Sequence, residues 1–237
     1  MKQQFIPAVY AQKPVGVSER YSFIPTTQVI QDLEQLGWRP AVITGNRRNP
    51  VAKHLIRFRS PTLSGPEVPE IVLVNSHDGL SSFQLKAGVF RVVCGNGLVI
   101  AESLFAAISI RHIHYTFAAV RTAVSDFAGR IPVITDSVEK LKRRELTIGE
   151  RLLFAKKAIE LRWPDDGPPV DLGRFLAPRR SADEGTDLWR TLNVTQEKLL
   201  QGGFRDLRGN RIRALINVER TVKLNQDLFG LAMKMVA

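Results

Sequence analysis

Arg47, Arg48, Lys53, His54, Arg57 and Arg59 crowd into one short stretch of the chain. A guanidinium fork matches phosphate oxygens two at a time, so such a stretch is equipped for anion chemistry. If Lys53 to Arg59 is a strand, alternation sets Lys53, Leu55, Arg57 and Arg59 on one face and His54, Ile56 and Phe58 on the other. That predicts a basic ridge over an apolar underside, gripping successive phosphates; the alternative is an ordinary solvated sheet face. A second group, Arg205, Arg208, Arg211 and Arg213, follows Gly202-Gly203 and reads as a mobile arginine loop able to wrap a nucleic-acid strand, or as a plain exposed loop. Tyr115 and Phe204 are the expected base-stacking aromatics. A third group is Lys140, Lys142, Arg143 and Arg144, with Lys156, Lys157 and Arg162 on the next helix; Lys142 to Arg144 suit a helix C-terminus, where the macrodipole favours cations, and the alternative is a phosphate site.

Other residue sets carry less. His77-Asp78 and Arg111-His112-Ile113-His114 invite a metal reading, since histidines two apart on a strand face one way. Asn75, Asp78 and Gly79 also suit a tight turn, and no H-E-x-x-H, paired D-x-D or cysteine ligand set supports a metal-dependent nuclease. No metal, cofactor or catalytic residue is therefore assigned. Gly95-Asn96-Gly97 reads as a hairpin turn, because the strand and helix context of a phosphate loop is missing. Cys94 is the only cysteine, which excludes an intrachain disulfide; it reads as an inert buried thiol. Trp189, Asn193, Gln196 and Glu197 follow helical spacing and point to a helix contact.

The whole composition agrees with an anionic partner. The chain has 237 residues, 34 Lys+Arg against 23 Asp+Glu, and a formal net charge of +11. The excess sits in residues 1–60, 116–163 and 204–237, with slightly acidic stretches between. No apolar run approaches the roughly 20 residues of a bilayer span, and the N-terminal residues lead into no signal-type apolar core. A soluble, cytoplasmic protein is expected.

Positioning these residues requires a frame. Residues 1–25, with Pro7, Pro14 and Pro25, read as an irregular arm of low order. Thr26 or Thr27 can cap a helix carrying Val29, Ile30, Leu33 and Leu36, stopped by Gly37. Short β-type runs follow at 40–44, 52–59, 71–74, 82–85, 89–93 and 98–100, with one more strand or a helix at 104–112. Their connections are too short for helical crossovers, so the sheet is expected to be largely antiparallel. From Phe117 through Val120, Val124, Phe127, Ile131, Ile134, Val138 and Leu141 the apolar spacing turns helical, and Pro132 predicts two helices or one kinked helix. Thr147 with Glu150 forms a capping-box pattern, and helices are expected at 186–201 and 218–235. The expected class is α+β: an antiparallel sheet preceded by a short helix and followed by a helical C-terminal half. Its divisions are the arm 1–25, a core 26–163, a linker or long loop 164–185, and a helical segment 186–237 packing on the core.

Two ordered blocks carry a family likeness. One runs Asn75-Ser-His-Asp-Gly79, then Phe83 to Val99 and Ile110-Arg-His112; the other runs Leu188 to Glu197, Gly202-Gly203, Arg211 to Arg213 and Lys223 to Phe229. Together they resemble the phage/plasmid-like domain-of-unknown-function family numbered nine hundred and thirty-two. The resemblance implies a protein of phages, plasmids or integrated elements and brings no established catalytic residue. Phe229 stands where that family leads one to expect a tryptophan. Strands followed by a long helix are also compatible, by fold-level analogy, with single-strand annealing proteins. The expectation is thus a non-enzymatic binder of single-stranded DNA that promotes strand annealing as a homo-oligomer, with a host or phage replication protein as a further partner. The alternatives are a structural or host-interaction protein of a mobile element, and a metal-dependent enzyme using His77, Asp78, His112 or His114.

Overall fold

The computed structural model describes residues 5–17, 21, 23–79, 83–91, 96–99, 108–110, 116–165 and 167–236. They form an α+β protein that divides into two compact units, Met1–Pro132 and Val133–Ala237. The division falls inside a helix, not in the segment 164–185.

The first unit is built on an antiparallel sheet. Its strands are β1 (Arg39–Gly45), β2 (His54–Arg59), β3 (Glu67–Asn75), β4 (Phe83–Arg91), β5 (Asn96–Val99) and β6 (Ile108–Ile110). The order is β1-β2-β3-β4, and β5 and β6 share the far edge of β4, opposite Gly88–Arg91 and Phe83–Leu85 respectively. The two runs expected at 82–85 and 89–93 are one strand, because Gly88 stays in register opposite Glu70. Asn96 and Gly97 belong to β5, paired with Arg91 and Phe90, and are not the turn itself. β3 also reaches back past Pro69, which faces Val89 and forgoes one amide donor inside the sheet.

α1 (Thr26–Gln35) supplies Val29 and Leu33, both fully buried. Its cap is Pro25, with no side-chain hydrogen bond; the Thr26 hydroxyl is engaged elsewhere. The N-terminal arm is not a loose lead-in. Pro7–Tyr10 form a 3-10 turn, and Ile6, Ala8 and Val9 are buried.

α2 (Phe117–Arg143) is a single helix that carries Pro132 on an exposed position. Most of its predicted stripe is buried, namely Val120, Val124, Phe127, Ile134, Val138 and Leu141, whereas Phe117 is exposed and Ile131 half-buried. Phe127 meets Trp38 edge-on, with ring centroids 5.3 Å apart.

The second unit packs α3 (Ile148–Arg162), α4 (Leu172–Phe175), α5 (Leu188–Gln201) and α6 (Val218–Met233). The capping box of α3 is complete: Glu150 N donates to Thr147 Oγ1, and Thr147 N donates to Glu150 Oε2. α5 is the core helix, buried from Leu188 to Leu199 except at Arg190. Asp187 caps it, and Leu188 N donates to Arg144 O, tying its start to the α2–α3 connection. Residues 164–185 also contribute to the core, through Phe175 and Leu176. Among the described residues no helix is long and apolar enough to cross a membrane.

Candidate nucleic-acid interface

The predicted ridge on β2 is not a surface. Arg57 is 7% exposed, and its Nη1 donates to Glu70 Oε2 at 3.0 Å. Arg59 Nε donates to the other oxygen of the same carboxylate at 2.7 Å, and its guanidinium lies 3.2 Å from the centroid of the Phe90 ring. Glu70 is fully buried, so the two arginines compensate a carboxylate that has left water. Strand alternation places these side chains together correctly, but both faces of the strand are covered, and the basic face turns inward. Lys53 is half-buried just before β2. Only Arg47 and Arg48 of this group are exposed, on the β1–β2 turn, where Asn46 Oδ1 accepts from the amides of Arg48 and Asn49.

The opposite face of β2 explains His54 and His77. Thr26 Oγ1 lies 2.9 Å from His54 Nε2 and 3.2 Å from His77 Nε2, and it accepts from Asn75 Nδ2 at 3.0 Å. His54 Nδ1 donates to Ala52 O and His77 Nε2 to Ala8 O. These roles leave His54 Nε2 to accept from the threonine hydroxyl and keep the ring neutral. Burial, with the neighbouring His77 adding to it and the Ala52 carbonyl opposing, pushes the His54 pKa down to about 4. The cluster fastens the arm and α1 to the sheet. Asp78 accepts from Ser76 Oγ at 2.8 Å, as its turn reading implies. Among the described residues no group of three or more His, Cys, Asp or Glu is placed to hold a metal. His112, His114, Cys94 and Tyr115 lie outside the described residues.

In the second unit the cationic groups separate into engaged and free ones. Glu197, buried on α5, takes a fork from Arg180 at 2.7 and 2.9 Å and a longer contact from Arg179. Lys198 Nζ donates to the carbonyls of Arg174 and Ala177, and its burial, with Arg179 adding to it, lowers the ammonium pKa. Lys140 pairs with Asp136, Lys142 with Glu139 and Arg144 with Glu150. Arg162 donates to the carbonyls of Leu199 and Arg213. Four members of the α2–α3 basic group are thus engaged within the fold, while Arg143, Lys156 and Lys157 are exposed.

Arg205, Arg208, Arg211 and Arg213 differ in being gathered on one short element. They stand on an ordered β-hairpin, a correction to the mobile loop expected there. Gly203 N donates to Ile212 O, Ile212 N to Phe204 O and Asp206 N to Asn210 O, and Arg205 bridges Arg211. Asp206 closes the turn by accepting from the amides of Arg208 and Asn210 and from Asn210 Nδ2. Some desolvation pushes the Asp206 pKa up, but these bonds and the nearby Arg208 charge outweigh it and hold the carboxyl below its usual range. Alternation turns Phe204 and Ile212 inward and Arg205, Arg211 and Arg213 outward. Phe204 packs edge-on against Phe175 at 5.3 Å, so it is a hairpin anchor and not the expected stacking platform. All four arginines are exposed, and among the described residues none has a carboxylate at ion-pair distance. Leu207, 68% exposed, stands at the turn.

The hairpin's base explains the glycine pair. Gly202 has φ 63°, and a Cβ there would meet Ile212 O and come within 2.7 Å of Arg213 C. Only glycine lets the end of α5 pass this close to the returning strand. Two exposed aromatics, Phe5 and Tyr10, escaped the sequence reading because their segment carries no helix or strand period.

Comparison with known proteins matches residues 15–229 to "Domain of unknown function (DUF932)". The UPF0380 proteins YfjQ and YafZ of Escherichia coli (strain K12) are each 34% identical over 238 aligned residues, covering 96% of this chain and 87% of theirs. Neither the family description nor these names states an activity. No solved structure matches. With a match spanning both units, the chain belongs to the DUF932 family.

Proposed function

We propose that the chain is a non-enzymatic nucleic-acid-binding protein that takes single-stranded DNA through the outward face of the 203–213 hairpin. The observation that carries this reading is the Arg205–Arg211 bridge, flanked by Arg213 and Arg208. Like charges directly across a strand pair repel, and among the described residues no carboxylate forms an ion pair with Arg205 or Arg211, although the Asp206 charge at the turn couples to Arg208. A phosphate backbone supplies the missing charge, and the hydrogen-bonded hairpin offers it several guanidinium groups from a backbone that is already ordered. The net charge of +11 draws a polyanion to the chain. The phage/plasmid likeness of the family supports a cytoplasmic role in a mobile element's replication or recombination. Strand annealing then follows if several copies line one strand, with a host or phage replication protein as a further partner.

The test is a fluorescence-anisotropy titration of a labelled oligothymidylate at low ionic strength. The wild-type chain is expected to bind, and the variant with Arg205, Arg208, Arg211 and Arg213 all replaced by Ala is expected to lose most of that affinity. A wild type that leaves the oligonucleotide free, or a variant that binds as tightly, contradicts the reading. In the former case a protein-interaction role takes its place.

A further inference from the structure

The first unit carries an exposed aromatic pair. Phe5 is 66% and Tyr10 49% exposed, yet their rings stack with centroids 5.3 Å apart and planes within 5°. The pair is held from below. Ile6, Ala8 and Val9 are buried, and Ala8 O accepts from His77, so the Pro7–Tyr10 turn is fixed with a ring at each end. Exposed aromatics left in contact with water cost free energy that a flat apolar ligand recovers.

The neighbourhood says which ligand. Ile6 Cγ2 lies 2.9 Å from where a Cβ on Gly45 would sit, which sets the aromatic turn directly against the end of β1. The next residues of that strand enter the turn bearing Arg47 and Arg48, both exposed and, among the described residues, without a carboxylate at ion-pair distance. A stacked π-surface on a segment packed against the strand end that leads into two exposed cations suits the repeating unit of a single strand, a flat base on one side and a phosphate on the other. A purely apolar protein partner would leave the cations unanswered, and duplex DNA would keep its bases out of reach.

We infer that Phe5 and Tyr10 form a base-stacking platform for a single strand whose phosphates run over Arg47 and Arg48. The inference rests on the nucleic-acid reading above and adds a second contact region, in the other unit, with preference for unpaired bases. Both rings are exposed and already stacked on each other, so a base that stacks on either extends an existing stack. This gives little sequence preference, since every base has a π-face.

The experiment compares an oligothymidylate with an abasic strand of equal length, which has the same phosphates and no bases, using the full chain. Wild type is expected to prefer the thymidylate. Phe5→Ala with Tyr10→Ala is expected to weaken thymidylate binding on the order of tenfold and leave abasic binding unchanged, while Tyr10→Phe keeps the preference. Because both rings are exposed, circular dichroism should report native folding for all variants. A double variant that retains the full thymidylate preference overturns the platform but not the nucleic-acid reading. Absence of binding to either strand by wild type overturns both.

Discussion

Arg57 and Glu70 form a buried ion pair across β2 and β3, Nη1 to Oε2 at 3.0 Å, and Arg59 completes the carboxylate's coordination from the rim. The arginine whose strand position suggests a phosphate clamp is a structural clamp. Arg57→Ala should therefore lower stability by about 3–5 kcal/mol, because Glu70 is left buried with half its compensation. Urea denaturation measures this. Arg57→Ala together with Glu70→Ala should cost less than Arg57→Ala alone; a single variant as stable as wild type would contradict the assignment.

The His54 cluster predicts acid sensitivity. His54 titrates near 6.5 when unfolded and at about 4 in the fold, so the unfolded chain binds more protons between those values. Stability from this group is complete above the unfolded pKa and declines as pH falls towards 4. Between pH 7 and pH 5 the loss should be about 2 kcal/mol. His54→Gln, which cannot take up that proton, should flatten the urea midpoint against pH by the corresponding amount. An unchanged pH dependence would show that His54 is not held neutral.

Gly202 links α5 to the arginine hairpin. Gly202→Ala forces a Cβ into the backbone of Ile212 and Arg213 at a positive φ, so the hairpin should detach from its base. Hydrogen exchange should report faster exchange of the Ile212 amide, and single-strand affinity should fall with it. Protection equal to wild type would show that the glycine contact does not hold the hairpin.

The capping box predicts a smaller effect. Thr147→Ala removes the acceptor for the Glu150 amide and should cost about 1 kcal/mol by urea denaturation. It should leave oligonucleotide binding unaltered, since Thr147 and Glu150 lie outside the 203–213 hairpin.

The antiparallel sheet, the long apolar stripe on α2 and the capped α3 are legible in the sequence because each rests on local spacing. What spacing cannot say is how many faces of an element are covered. Lys53, Leu55, Arg57 and Arg59 alternate as an amphipathic edge would, but β2 is buried from His54 to Phe58. Glu70 is the hidden signal, a carboxylate beside the apolar run 71–74 and thirteen residues after Arg57 that requires a cation wherever the fold buries it. Likewise the composition of residues 203–213 reads as a loose loop, because the order there comes from Asp206 and the Gly203–Ile212 pairing. Thr26 reads as a helix cap by type, and its hydroxyl instead serves two histidines brought from β2 and the end of β3. Long-range partners of polar side chains were thus the unreadable part, and they decide which cations remain free.

The central claim is that Arg205, Arg208, Arg211 and Arg213 neutralise nucleic-acid phosphates, and the salt dependence of single-strand binding tests it most directly. Each phosphate contact on a single strand contributes about 0.7 to the slope of log affinity against log salt concentration. Replacing the four arginines with Ala should reduce that slope by about 3 and leave the urea midpoint unchanged. A slope identical in wild type and variant would contradict the account.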